Sequence, residues 1–239
     1  MQLLLNKQVQ EITKVDTQNL ALETAKLYQS IFAMEPWNEA GIDINGNSIA
    51  IVDLENYFKP FHSIQSVSQR IHNVIQNPGN IFLISASHES FLINSELLGS
   101  VIPLAGEFSP VLKSVEINNQ PLYVNGFLWA TRMPTLDVLI DRGDFETSQA
   151  SSIVRSCELD TECIFINELA IAREFQHSQI GRMLKEMLEK HLDKKRLPVF
   201  ANTIVNSGAY KLFEQMGAMV LSGPGIHNRD GYVLSLKKY

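Results

Sequence analysis

The sequence predicts an α/β protein, a mixed sheet flanked by helices, on three observations. Apolar residues recur at helical spacing in several segments, and β-branched and apolar runs of strand length fall between them. The two kinds of segment are interleaved along the chain rather than segregated into halves, as a layered α/β architecture requires. The chain also has 239 residues, 45% of them hydrophobic and 19% charged, enough to bury a core without a disulfide or metal staple.

The first strand is expected at Val9–Val15, on Val9, Ile12 and Val15. A helix follows over about 17–34: Asp16 or Thr17 caps it, Leu20, Leu27, Tyr28 and Ile31 share a face, and Glu35-Pro36 stops it. Residues 38–63, rich in Asn, Gly and Asp, read as loop. A second helix, about 63–77, carries Ile64, Val67, Ile71, Val74 and Ile75 and ends at Asn77-Pro78-Gly79. Strands are expected at Ile81–Ser87 and within Phe91–Glu107. Residues 107–161, broken by Pro110, Pro121 and Pro134, lack periodicity and read as an insertion with some strand.

From Cys163 the pattern sharpens. Cys163–Ile171 is a strand, and Ile180–Leu192 is an amphipathic helix with Ile180, Met183, Leu184, Met187, Leu188 and Leu192 on one face. Lys190, Lys194, Lys195 and Arg196 complement the negative end of that helix. Then come a strand at 199–203, a short helix at 207–216 ended by Gly217, a strand at 218–221, a turn-rich loop at 223–231 and a last strand at 232–236. The order is β-α-α-β-β-(insertion)-β-α-β-α-β-β.

The net charge of −6 argues against a general nucleic-acid binder. It hides a gradient. Residues 1–136 carry 7 basic and 12 acidic side chains, residues 137–168 carry 2 and 8, and residues 169–239 carry 11 and 6. Cys157 and Cys163 read as free thiols, and no Cys/His cluster has zinc spacing, so no metal is expected. The start MQLLLNKQVQE does not read as a signal peptide, and apolar runs fall short of a bilayer span, so a cytoplasmic protein without membrane contact is expected.

The chemistry-bearing segment is the strand, tight turn and helix of residues 163–184. A helix start behind a tight turn presents backbone N–H groups and a positive dipole end, an anion site. Residues 176–182 are therefore candidates for a phosphate or pyrophosphate, with Gly181 allowing close backbone approach. A second cue begins 25 residues past Gly181: Asn206, Ala209, Leu212, Phe213, Gly217 and Ala218.

Together the two segments resemble the GNAT acyltransferase superfamily, which uses acetyl-CoA. That family shows a strand ending in L-x-V, then R/Q-x-x-G-x-G/A and a helix, and later N-x-x-A-x-x-L-Y-x-x-x-G-F. Here the strand ends Leu169-Ala170-Ile171, Gln176 takes the first motif position, Gln179 stands where a glycine is usual, and Gly181 holds the next. Asn206, Ala209, Leu212 and Gly217 match the later motif, with Phe213 for the common tyrosine and Ala218 for the common phenylalanine. The resemblance is specific over about 163–236. It implies one GNAT-like domain over residues 1–239, with insertions at about 38–63 and 107–161.

The resemblance further implies a pyrophosphate held by Gln176, His177, Ser178, Gln179, Ile180, Gly181 and Arg182. Main-chain groups of Leu169, Ala170 and Ile171 would bind pantetheine, Asn206 would reach the pantetheine arm, and Lys211 is a further phosphate candidate. Glu168 is the candidate general base. With Phe213 at the usual tyrosine position, Tyr210 is the candidate acid. If the Gln179 position demands a positive φ, that residue is strained there. The expected activity is acetyl transfer from acetyl-CoA to an amine, small molecule or peptide, directly. The acidic window 137–168 favours a cationic acceptor. Gln179, Phe213 and the long insertion keep open a second reading, a CoA-binding or protein-interaction module without turnover.

Overall fold

The computed structural model describes residues 1–32, 64–91, 112–143, 145–192, 197–203, 208–215, 218–220 and 234–235. The strand expected within 91–107, the loop at 38–63, Asn206 and most of 216–239 lie wholly or largely outside them. A mixed seven-stranded sheet runs in the order β2-β1-β3-β5-β6-β7, with β4 paired to β5. Its strands are β1 (Gln2–Leu5), β2 (Gln8–Glu11), β3 (Asn80–Ser87), β4 (Val115–Ile117), β5 (Gln120–Pro134), β6 (Glu162–Ile171) and β7 (Val199–Ala201). The helices are α1 (Thr17–Phe32), α2 (Ile64–Gln76), α3 (Thr135–Asp141), α4 (Thr147–Ser156), α5 (Ile180–Leu192) and α6 (Gly208–Gln215). A separate pair, β8 (Met219–Val220) and β9 (Leu234–Ser235), is antiparallel. The residues group into two compact units, one of 1–78, 82–127 and 170–184, the other of 79–81, 128–169 and 185–239.

In the first unit, two tight hairpins set the register. Asn6 and Lys7 both have positive φ (50° and 62°), as do Asn118 and Asn119 (52° and 64°). Left-handed pairs of this kind match the right-handed twist of the strands they join, and asparagine tolerates them better than most residues. The first hairpin pairs Leu5 with Gln8, so the edge strand is Gln8–Glu11 rather than Val9–Val15. Val15 makes only an isolated bridge to Ile117. β1, not anticipated as a strand, runs parallel to β3 and buries Leu3, Leu4 and Leu5.

Asp16 caps α1, its Oδ1 accepting the Gln18 and Asn19 backbone N–H groups at 3.0 and 3.2 Å. Leu20, Leu27 and Tyr28 are buried on one face, and α2 packs along α1 with Val67, Ile71 and Val74 buried. Glu23, only 1% exposed, is not left as a bare buried carboxylate. Its oxygens accept the Lys26 ammonium at 2.6 Å and the Lys113 N–H at 2.8 Å.

The stretch read as an insertion with some strand holds more regular structure than its weak periodicity suggests. Residues 120–134 form β5, a 15-residue strand between β3 and β6 in the sheet interior. Seven successive residues, 124–130, are buried, so the alternation that reveals a half-exposed strand is absent. Pro121 and Pro134 sit at the ends of the strand, where a missing N–H costs little.

In the second unit, the helical part of the insertion covers one side of the β6–β7 pair. Val138, Leu139 and Ala150 from α3 and α4 cluster with Cys163, Phe165 and Phe200. α4 is Ser-rich and weakly patterned. Its start is held by a capping box in which the Glu146 side chain and the Gln149 side chain each accept the other residue's backbone N–H.

Candidate functional site

The strand-turn-helix segment forms as expected: β6 ends at Ile171 and α5 begins at Ile180. Ala170–Leu184 belongs to the first unit. The turn is anchored at its root, where Ala172 N–H donates to the Asn125 carbonyl of β5 at 2.8 Å. A 3-10 turn, Arg173–Phe175, follows, closed by Phe175 N–H to Ala172 O at 2.8 Å and Gln176 N–H to Arg173 O at 3.1 Å. Phe175 also meets the Phe91 ring edge-on at 4.9 Å. The Gln176 amide reaches back to donate to the Ile171 carbonyl at 3.3 Å, so its side chain braces the turn.

His177 and Gln179 then adopt positive φ, 67° and 71°. The condition for strain at Gln179 is therefore met, and His177 shares it. Left-handed residues alternating with ordinary ones fold successive N–H groups toward one side, the backbone path of an anion nest. The helix starts at once: Met183 N–H donates to the Gln179 carbonyl at 2.9 Å, so the N–H groups of Ile180 and Gly181 precede the first intrahelical bond. His177, Ser178, Gln179 and Arg182 are exposed, Ile180 is half-buried and Gly181 is buried.

Gly126 of β5 explains why the turn lies close to the sheet. A Cβ there would sit 3.2 Å from Ile180 Cγ2 and 3.3 Å from the Ala170 carbonyl oxygen. Only glycine lets the first residue of α5 and the end of β6 approach β5 so closely. The periodicity of β5 gave no sign of this role. The isolated glycine in an apolar run was the one available cue.

The second unit holds the other candidates. β6 and β7 pair in parallel through Ile164↔Val199, Phe165↔Phe200 and Ile166↔Ala201, and there the described register ends. β6 continues for five more residues. Burial changes at the same point: residues 163–166 are buried, whereas Asn167, Glu168 and Leu169 are half-buried. Asn167 is held from the β5 side, its amide donating to Thr131 Oγ1 at 2.7 Å.

On α6, Phe213 is buried (2% exposed) and Tyr210, one turn earlier, is half-buried. The ring at the motif's tyrosine position thus packs in the core and brings no hydroxyl. Lys211 is exposed. Trp129, one of the two tryptophans of the sequence, is 9% exposed in β5.

Cys163 is not a nucleophile candidate. Burial pushes its thiol up to about 12, a hydrogen bond from Thr135 opposes that, and Asp137 and Glu162 add to it. Cys157 is exposed. Among the described residues, no group of three or more His, Cys, Asp or Glu side chains converges as metal ligands, and no helix is long and apolar enough to cross a membrane.

No protein-family model matches the chain, and no curated protein matches it. Solved structures similar to it include NAA60 of Arabidopsis thaliana in complex with acetyl-CoA, at 13% identity over 70% of this chain and 81% of that one, with a TM-score of 0.44. PaiA N-acetyltransferase of Thermoplasma acidophilum in complex with coenzyme A is similar at 12% identity over 94% and 93%, with a TM-score of 0.46. The mosquito arylalkylamine N-acetyltransferase-like protein 5b is similar at 12% identity over 93% and 95%, with a TM-score of 0.42.

Proposed function

We propose that this chain is a GNAT-type acyltransferase that moves an acetyl group from acetyl-CoA to an amine. The observation that carries the reading is the turn 172–183, where two left-handed residues lead directly into the start of α5. Such a backbone holds a pyrophosphate through N–H groups and the helix dipole. Gln176, His177, Ser178, Gln179, Ile180, Gly181 and Arg182 would line it. The main chain of Leu169, Ala170 and Ile171 would run beside pantetheine, with Asn206 and Lys211 as further contacts.

The chemistry asks for three things: a neutral amine, a stabilised oxyanion and a proton for the departing thiolate. Glu168 would take the amine proton, directly or through one water. The amine nitrogen forms its bond to the thioester carbon as the C–S bond breaks, and Tyr210 would give a proton to the sulfur. The acidic helical segment after β5 would favour a cationic acceptor.

Two measurements test the proposal. At a hundredfold excess over its Kd, acetyl-CoA stabilises a binding protein by about 2.7 kcal/mol, which raises Tm by roughly 5–10 °C in a chain of this length. Free thiol should also appear when a panel of amines, peptides and polyamines is added. No Tm shift refutes cosubstrate binding. A shift without thiol release from any acceptor favours the second reading, a CoA-binding module without turnover, for which the buried Phe213 ring in place of a tyrosine speaks.

A further inference from the structure

Phe175 is the hub of the turn between β6 and α5. Its N–H donates to the Ala172 carbonyl at 2.8 Å and closes the 3-10 turn. Its carbonyl accepts twice from one residue, from the Ser178 N–H at 3.3 Å and from the Ser178 Oγ–H. Its ring is half-buried and meets the ring of Phe91, beyond the end of β3, edge-on with centroids 4.9 Å apart. All these residues lie in the first unit. Ser178 stands between the two left-handed residues, His177 at φ 67° and Gln179 at φ 71°. Each of those two would lower its backbone energy by returning to negative φ. A residue pinned twice to one carbonyl between them opposes that return, and the ring pair holds the residue that carries the carbonyl. The pinning also sorts the donors. The N–H groups of Gln176 and Ser178 are taken by the carbonyls of Arg173 and Phe175, whereas among the described residues those of His177 and Gln179 have no partner. The donors left for a ligand are those of the two strained residues.

We propose that Phe91, Phe175 and Ser178 form a clasp that holds the turn in its anion-binding shape before any ligand arrives. They are positioning residues. The N–H groups of His177 and Gln179 meet the anion, and Ser178 acts by fixing those two residues, its hydroxyl committed to the Phe175 carbonyl. This rests on the acetyl-CoA reading only for the identity of the anion, the pyrophosphate of the cosubstrate. The clasp itself is a property of the free protein. It also gives a task to Phe91 and Phe175, which lie outside the motif positions and touch the site only through the turn they hold.

Ser178 is exposed, so Ser178→Ala should fold with Tm close to that of the parent. It removes the hydroxyl, and Ser178→Thr retains it. Phe175→Leu and Phe91→Leu each remove one ring of the pair, and Phe175→Tyr retains it. Hydrogen exchange of the residue-178 amide, read by NMR on the ligand-free protein relative to its intrinsic rate, reports the clasp. Exchange should be about threefold or more faster in Ser178→Ala, Phe175→Leu and Phe91→Leu, and near the parent in Ser178→Thr and Phe175→Tyr. Parent-like exchange in the three variants that lose a group overturns the clasp. Calorimetry with acetyl-CoA then reads positioning: Kd should weaken roughly threefold to tenfold in the same three variants and recover in the two that retain the group. Faster exchange with an unchanged Kd overturns the positioning role. The double variant Ser178→Ala/Phe91→Leu separates holding from direct contact. Two side chains that act through one clasp weaken Kd together by less than the product of their single effects. A loss equal to the product makes the Ser178 hydroxyl a ligand in its own right and overturns its place in the clasp. If the parent itself does not bind acetyl-CoA, the cosubstrate reading fails while the exchange result still decides the clasp.

Discussion

Replacing Gln179 with glycine should make the protein more stable, against the usual effect of an added glycine. Gln179 sits at φ 71°, where a Cβ crowds the following carbonyl at a cost of about 1–2 kcal/mol. Glycine removes that cost. It also gives the unfolded chain more freedom, which takes back about 0.4–1 kcal/mol. The difference, about 1 kcal/mol in favour of the folded state, corresponds to a Tm rise of roughly 2–4 °C for a chain of this size. Two control substitutions separate strain from side-chain contacts. Gln179→Ala keeps a Cβ and gains nothing, whereas Gln179→Asn, a residue that tolerates the left-handed region, gains part of the rise. Thermal melts of the four proteins in one buffer make the comparison. A fall in Tm for Gln179→Gly, with alanine and asparagine indistinguishable, would refute the strain argument and mean that the glutamine side chain contributes more than its backbone costs. If the free turn relaxes away from this conformation and regains it on binding, the same substitution tightens acetyl-CoA by up to about fivefold.

Five further outcomes are expected. Gly126→Ala places a methyl 3.3 Å from the Ala170 carbonyl oxygen, which cannot swing aside, so Tm should fall by roughly 3–8 °C; an unchanged melt would show that the strand and turn are free to separate. Cys157 should react with a maleimide at pH 8 while Cys163 stays unmodified until the protein unfolds, and fast labelling of both would contradict the burial of β6. Because the folded thiol at about 12 lies above its unfolded value of 9.0, the Cys163 contribution to stability is complete below pH 9 and is lost as pH rises toward 12, which urea melts at pH 8 and pH 10.5 should register. Glu168→Gln should lower kcat roughly a hundredfold or more with acetyl-CoA affinity kept, and full activity would remove Glu168 as the base. Asp137→Asn, Asp141→Asn and Glu146→Gln together, with Asp144→Asn (outside the described residues) added, should raise KM for a cationic amine such as spermidine and spare KM for acetyl-CoA; equal KM values would reduce the acidic window to a matter of solubility.

Helices α1, α2, α5 and α6 were readable because what makes them is local. The stripe Val67, Ile71, Val74 and the stripe Leu184, Met187, Leu188, Leu192 each turn one face inward whatever lies opposite. Asp16 caps its helix from two and three residues away. The end of β6, the turn after it and the start of α5 at Ile180 were likewise visible, since a strand, a turn and an amphipathic stripe succeed one another within 31 residues.

The tertiary structure decided what depends on partners distant in the chain. β5 has no alternation to read because β3 and β6 flank it and both its faces are covered, so burial erases the period that would identify it. The same strand supplies the carbonyl that anchors Ala172 and the bare Cα of Gly126 against Ile180, and these set the path that leaves His177 and Gln179 left-handed. No property of glutamine at position 179 foretells that φ; it is imposed by closing a short turn between two anchored ends. By itself, then, the sequence determined helices α1, α2, α5 and α6, the cap of the first and the chemical character of the turn. Only the folded chain determined the two helices α3 and α4, which strand lies inside and which backbone is strained.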